Sequence, residues 1–196
     1  NIASIKLGGG MGEQDRLVHP NDDVNKCQST NDMFPTAIHI AGAKLIREQL
    51  LPNIRALRDT LYKKANENKD VYKIGRTHLE DATPMTLGQE ISGWVGQLNI
   101  GIHFLEETLP AIYKLAVGGT AVGTGLNANP KFGSQVAEQV ASITGIPFES
   151  APNKFAALAG HEPIVVVHGS LKALATALTK MANDIRWMAS GPRTGF

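Results

Sequence analysis

The sequence predicts an all-α protein, a bundle of long helices joined by short irregular or β-hairpin loops, and three runs of residues carry that prediction. From His161 to Ala189 the apolar residues Ile164, Val167, Leu171, Leu174, Leu178, Met181, Ile185 and Met188 recur at spacings of 3, 4, 3, 4, 3, 4 and 3, the repeat of a helix that keeps one stripe against its neighbours. A second stripe, Leu87, Ile91, Trp94, Leu98, Ile102, Leu105 and Leu109, is equally regular. A third stretch opens after Ser29-Thr-Asn-Asp32 and carries Phe34, Ile38, Ala41 and Leu45 on one side.

The His161–Ala189 stretch holds few charges (Glu162, Lys172, Lys180, Asp184 and Arg186), so more than one of its faces is expected to be buried. At about 1.5 Å per residue it runs roughly 40 Å, a length that belongs to a bundle. The second helix is expected to start near Thr86, where Thr86-Leu-Gly-Gln89 fits a capping box. No Asp, Glu, Lys or Arg occurs from Ile91 to Leu105, yet Ser92, Gln97, Asn99 and His103 argue against a membrane span and for burial between protein helices. Gly88, Gly93, Gly96 and Gly101 lower helix propensity there and are expected to let neighbouring helices approach closely. In the third stretch Pro35 is expected in the first turn and Pro52 is expected to interrupt the helix. Helix then resumes with Ile54, Leu57 and Leu61 facing inward, Arg55, Arg58, Asp59, Lys63 and Lys64 in solvent, and ends in Asn66-Glu-Asn-Lys-Asp70.

Composition bounds the rest. With 196 residues, 42% of them hydrophobic, the chain is long enough for a sizeable core and is not disordered. The 19 Lys and Arg are interspersed with 18 Asp and Glu, for a net charge of +1, and no basic face for nucleic acid is indicated. The single Cys27 forms no internal disulfide and suits a reducing compartment, so the cytoplasm is the expected location. Asn1-Ile-Ala-Ser-Ile-Lys has neither a starting Met nor a signal peptide, and Ser190-Gly-Pro-Arg-Thr-Gly-Phe196 reads as a turn cut in mid-course. Both ends are expected to be cuts in a longer polypeptide, so a mitochondrial targeting segment ahead of Asn1 stands as the alternative to the cytoplasm. No internal repeat, linker or low-complexity tract divides residues 1–196.

Chemistry is expected in the loops, where helix ends present unpaired backbone donors. Ser29, Thr30 and Asn31 stand at a predicted helix start, which admits two readings: an anion site or plain N-capping. His78 follows Thr77 behind a short strand-like run, beside Arg76, Glu80 and Asp81, and is the best general acid or base; His39 and His103 lie within helices, as packed or surface residues. Gly118-Gly-Thr-Ala-Val-Gly-Thr-Gly125 fails the phosphate-loop pattern, having Thr124 where Lys is needed, and reads as a tight turn. His161-Glu-Pro-Ile-Val165 lacks the second His of a zinc helix, His168 being seven residues on, and no metal site is predicted.

Five segments together resemble one family: His19-Pro-Asn-Asp-Asp-Val-Asn25, Gly75-Arg-Thr-His-Leu-Glu-Asp-Ala-Thr-Pro84, Gly118-Gly-Thr-Ala-Val-Gly-Thr-Gly-Leu-Asn127, Ala151-Pro-Asn-Lys-Phe155 and Ser190-Gly-Pro-Arg193. They are similar to class II fumarases of the fumarase/aspartase superfamily, colinearly along essentially the whole chain. The resemblance implies the central helical domain of that fold, with residues 1–30 as the tail of a preceding amino-terminal domain and the carboxy-terminal part absent. It implies a lyase of the tricarboxylic acid cycle that hydrates fumarate to malate, with no metal or organic cofactor. Ser29, Thr30 and Asn31 then fall on the segment that binds a substrate carboxylate, Thr77 on a further substrate contact and His78 on the catalytic histidine. His19, Pro20, Asn21 and Asp22 fall on a second dicarboxylate site, for which the plain alternative is a Pro-containing turn.

The resemblance further implies a homotetramer with a shared helical core, each active site drawing its loops from three subunits. It also implies a Gly-Ser-Ser-rich loop beyond Phe196 that supplies the proposed proton-abstracting serine, so residues 1–196 alone are expected to show no fumarase activity. Thr30 and Cys27 depart from the family, which more often has Ser at both positions; Thr30 keeps a hydroxyl donor. Two alternatives remain. One is aspartate ammonia-lyase, which usually carries Gln where His78 stands; the other is a non-catalytic helical oligomerisation module.

Overall fold

The computed structural model describes residues 1–12 and 14–193, so the Thr194-Gly-Phe196 end of the expected terminal turn lies outside the described residues. Along the chain come α1 (Ile2–Lys6), α2 (Thr30–Leu45), α3 (Leu51–Glu67), β1 (Tyr72–Thr77), β2 (Glu80–Thr86), α4 (Leu87–Thr108), β3 (Lys114–Leu115), α5 (Phe132–Thr144), β4 (Glu149–Ser150), α6 (Lys154–Ala159) and α7 (Glu162–Met188). The protein is mostly helical, as predicted. It divides into two compact units: Asn1–Ala41 with Tyr113–His161, and Gly42–Ile112 with Glu162–Phe196.

In the second unit the two predicted stripes meet. Ile91, Trp94, Leu98, Ile102 and Leu105 of α4 are buried, as are Val167, Leu174 and Met181 of α7. Polar ties fix the register: the Trp94 indole N–H donates to Asp184 Oδ2 at 3.0 Å and the Thr108 hydroxyl to Ser170 Oγ at 3.1 Å. On the other side of α4, α3 docks through Leu51, Ile54 and Ala65, with Arg55 paired to Glu106. The capping box at Thr86 and Gln89 forms as predicted, with the Thr86 hydroxyl accepting from Gln89 N at 3.1 Å and Gln89 Oε1 accepting from Thr86 N at 2.9 Å.

Three sequence expectations change. Pro52 does not interrupt the helix. Ahead of it the backbone widens into a π turn, Ile46–Leu50, in which Leu51 N bonds Ile46 O, and the helix runs on through Pro52 into α3. Pro35 lies inside α2, past its first turn. Of the four helix glycines, only two sit at a close contact. A Cβ at Gly88 would stand 2.5 Å from Ala65 O and one at Gly101 2.8 Å from the Leu174 side chain, whereas Gly93 and Gly96 have nothing within 4 Å.

Among the described residues one face of α7 is covered and others are open: Val165 and Val166 are 66% and 51% exposed, and Ile185 and Met188, at the end of the predicted stripe, 47% and 39%. By length and composition α7 also meets the criteria for a membrane-crossing helix, with 22% of its most apolar window buried.

The first unit holds the two-stranded parallel pair β3–β4, with Leu115 opposite Ser150. Leu115, Ala116, Val117, Ala137, Ile146 and Phe148 form its core, and Tyr113 packs edge-on against Phe148 at 5.8 Å. α5 ends at Gly145, whose φ of 66° closes a left-handed cap.

Candidate functional site

The start of α2 is built from its own first residues. Ser29 Oγ accepts from Asn31 N at 3.3 Å, Ser29 O accepts from Met33 N at 3.1 Å, and Asp32 Oδ1 accepts from Ser29 N at 2.9 Å. Ser29 and Asp32 thus cap the helix start between them, so part of the hydrogen-bonding capacity of Ser29 already serves the helix. Thr30 is exposed. Asn31 Nδ2 donates to Ala121 O at 2.8 Å, which ties the helix start to the glycine-rich turn.

That turn is held in a conformation few sequences tolerate. Gly118, Gly123 and Gly125 have φ of 94°, 106° and 69°, and Thr120 and Asn127 adopt 57° and 63°. A β-branched residue at positive φ is costly. Thr120 N is held there by Asp32 Oδ2 at 3.0 Å, and the same oxygen accepts from Gly118 N at 3.0 Å. Thr36 Oγ1 accepts from Val117 N at 2.9 Å, and the His39 ring bonds Lys114 O at 3.1 Å through Nδ1. Lys154 Nζ donates to Leu115 O at 2.9 Å and to Ser150 Oγ at 2.7 Å. Burial lowers the Lys154 ammonium from its usual value, while the negative charge of Asp32 acts in the opposite direction.

Between the helix start and the turn lies a cleft of about 600 Å³, lined by Asn21, Asp22, Ser29, Thr120 and Thr124 among others, with Cys27 and Lys26 on its rim. A separate groove of about 530 Å³, lined by Tyr62, Lys69, Gln89 and Asn99 of the second unit, carries none of the predicted site residues.

The candidate second site is a single π turn, Pro20–Val24, capped by His19. His19 Nδ1 accepts from Asn21 N at 3.3 Å and Asp22 N at 3.2 Å, and it also stands 3.1 Å from Asp22 Oδ2. The nitrogen cannot accept the N–H groups and donate to the carboxylate at once. The backbone donors have fixed directions, so the accepting role is the better founded, which places the ring hydrogen on Nε2. His19 N donates to Asp23 Oδ2 at 2.7 Å, closing the cap.

Thr77 and His78 belong to the second unit, on the hairpin β1–β2. Thr77 pairs with Glu80, so His78 and Leu79 alone form the turn, at φ of 54° and 63°. Two positive φ values define the tight turn that hairpins favour, but Asn-Gly is the usual occupant. The strain is held by Arg76, whose Nη1 donates to Leu79 O at 3.1 Å and lies 3.1 Å from Asp81 Oδ1. It presents the exposed His78 imidazole at the tip, with no hydrogen-bond partner among the described residues. Backbone strain of this kind concentrates at functional sites. Lys73 pairs with Glu90 and fastens the hairpin to α4.

The structure thus gathers Asn21, Asp22 and Ser29 at one cleft, sets Asn31 against its turn, and puts Thr77 and His78 together on a strained hairpin tip. Sequence reasoning missed Asp32 and Lys154. The Ser-x-x-Asp spacing at Ser29 was a signal for the former, and nothing local marked the latter.

A family model described as Lyase matches residues 2–196. The chain is 62% identical to fumarate hydratase class II of Chromobacterium violaceum and 55% identical to that of Yersinia pestis, in each case over 100% of this chain and 42% of the relative. A crystal structure of recombinant class II fumarase from Schistosoma mansoni aligns with a TM-score of 0.89 at 40% identity, over 98% of this chain and 43% of that one. The chain therefore spans less than half the length of the relatives it matches. The family model spans residues 2–196, the fold superposes on that fumarase over 98% of the chain, and the chain belongs to this lyase family.

Proposed function

We propose that the protein carrying this chain adds water to fumarate to give malate, and that Ser29, Thr30, Asn31 and Thr77 hold the dicarboxylate while His78 transfers a proton at the water side. The observation that carries this reading is the colinear likeness to relatives that are fumarate hydratases. The site geometry supports it. Removing a proton beside a carboxylate builds negative charge on that carboxylate, and fixed donors at a helix start are suited to stabilise it. An imidazole presented on a strained hairpin tip is placed to give or take a proton as a general acid or base. His19, Pro20, Asn21 and Asp22 are proposed as a second dicarboxylate site on the rim of the cleft.

The exposed apolar face of α7, together with Ile100 and Phe104 of α4, supports assembly as a homotetramer with a shared helical core. Polar and charged residues along that helix, Lys172, Lys180, Asp184 and Arg186, favour other helices over lipid as its cover. A cytoplasmic place in the tricarboxylic acid cycle is part of the same proposal. The test is a coupled assay of the full-length protein with malate and then aspartate, alongside light scattering. Fumarate formed from malate supports the reading. Ammonia released from aspartate would favour the related ammonia-lyase, and a folded oligomer silent on both substrates would favour a purely structural role.

A further inference from the structure

We propose that Asp32 is a positioning residue that sets the width of the cleft, pinning the wall that carries Ser29 to the wall that carries Thr120. Its carboxylate is fully buried and spans the two walls: Oδ1 accepts from Ser29 N at 2.9 Å, and Oδ2 accepts from Gly118 N and Thr120 N at 3.0 Å. Ser29, Thr120 and Thr124 all line the cleft. One side chain on α2 therefore joins segments 86 and 88 residues away to its own helix start. Thr120 is held at a φ of 57°, which a β-branched residue leaves when its N–H is released. Lys154, half-buried, bonds Leu115 O and Ser150 Oγ, and its charge interacts favourably with Asp32.

An amide in place of the carboxylate presents an NH₂ group where an N–H already points, so at least one of the three bonds is lost. A docking role alone would lower stability. A pin that sets cleft width also changes how the cleft holds a dicarboxylate in ground state and transition state alike, which raises KM and leaves kcat nearly unchanged. The kinetic part of this inference rests on the fumarate hydratase reading; the structural part does not.

The experiment uses the full-length protein as wild type, Asp32→Asn, Asp32→Glu and Thr36→Val. Thr36 is the control, because it is buried and bonds Val117 N at 2.9 Å but does not line the cleft. Readouts are KM and kcat with fumarate, binding of the unreactive dicarboxylate succinate by calorimetry, Tm, and hydrogen exchange of the segments 28–33 and 117–121. Asp32→Asn is expected to raise KM and the succinate Kd about tenfold with kcat within about threefold, the loss of one charge-assisted hydrogen bond. Both segments lose protection, and Thr36→Val lowers Tm while leaving KM unchanged. Asp32→Glu keeps the charge on a longer arm and is expected to fold and to raise KM in the same direction. In the wild type, by reciprocity, succinate slows exchange in both segments. The proposal is overturned if the Asp32 variants change Tm but not KM or succinate affinity, if Thr36→Val raises KM as much, or if succinate leaves both segments unprotected. If the wild type neither hydrates fumarate nor binds succinate, the functional reading fails, and exchange in the Asp32 variants alone decides whether the pin exists.

Discussion

Replacing Gly88 by alanine puts a methyl group where the backbone of α3 already is. The added Cβ would lie 2.5 Å from Ala65 O, 2.8 Å from Lys69 Cα and 3.0 Å from Lys69 N, all main-chain atoms that no rotamer change can move. The end of α3 must shift, and overpacking of this kind costs about 1–3 kcal/mol. Alanine returns about 1 kcal/mol of helix propensity, so the net loss is up to about 2 kcal/mol. Gly93, five residues along the same helix, has nothing within 4 Å, and Gly93→Ala keeps only the propensity gain, about 1 kcal/mol of added stability. Urea and thermal unfolding of the 196-residue chain measure both. Tm is expected to fall by up to about 8 °C for Gly88→Ala and to rise by about 2–4 °C for Gly93→Ala. Changes of the same sign in both variants would refute the packing argument. In the assembled protein, a destabilising Gly93→Ala would report another helix lying on that face.

The strained hairpin tip predicts that Leu79→Gly, at φ 63°, stabilises by about 0.5–1 kcal/mol in denaturant unfolding, since glycine adopts this conformation without penalty. Lys154 predicts an alkaline signature. Its folded-state value lies below 10.5 because of burial, so the folded state carries the full cost of the buried charge at lower pH. Stability should rise as pH climbs from that lowered value toward 10.5, and the wild-type minus Lys154→Met difference in urea midpoint should show this slope; a flat difference would contradict it. Trp94→Phe removes the N–H that bonds Asp184 Oδ2 at 3.0 Å and should cost about 1–2 kcal/mol, read by urea unfolding.

The long helices were legible because their evidence is local and repeated. Apolar residues at helical spacing identify α4 and α7, and the Thr86–Gln89 capping box marks where α4 starts. What sequence reasoning lost were features made by tertiary contact. Pro52 read as a break because the π turn that absorbs it forms upstream, over Ile46–Leu50. Gly93 and Gly96 read like Gly88 and Gly101, since composition cannot tell a glycine under a neighbouring helix from one facing open space. α5 and α6 were not anticipated, nor the pairing of β3 with β4 across more than thirty residues. At the site, His78 read as a loop residue behind one short strand-like run, whereas its place at a hairpin tip with both φ positive belongs to the fold. Asp32 drew no role from the sequence, because its bonds to Gly118 and Thr120 join segments that sequence proximity does not connect.

The most direct test of the account is steady-state hydration of fumarate by the full-length protein and its His78→Asn variant, followed by loss of fumarate absorbance. Asparagine tolerates positive φ, so the turn at 54° should survive and Tm should barely move. Loss of a positioned acid or base is expected to lower kcat by about 10²–10⁴. A His78→Asn enzyme that turns over at nearly the wild-type rate would contradict the assignment of His78 to proton transfer.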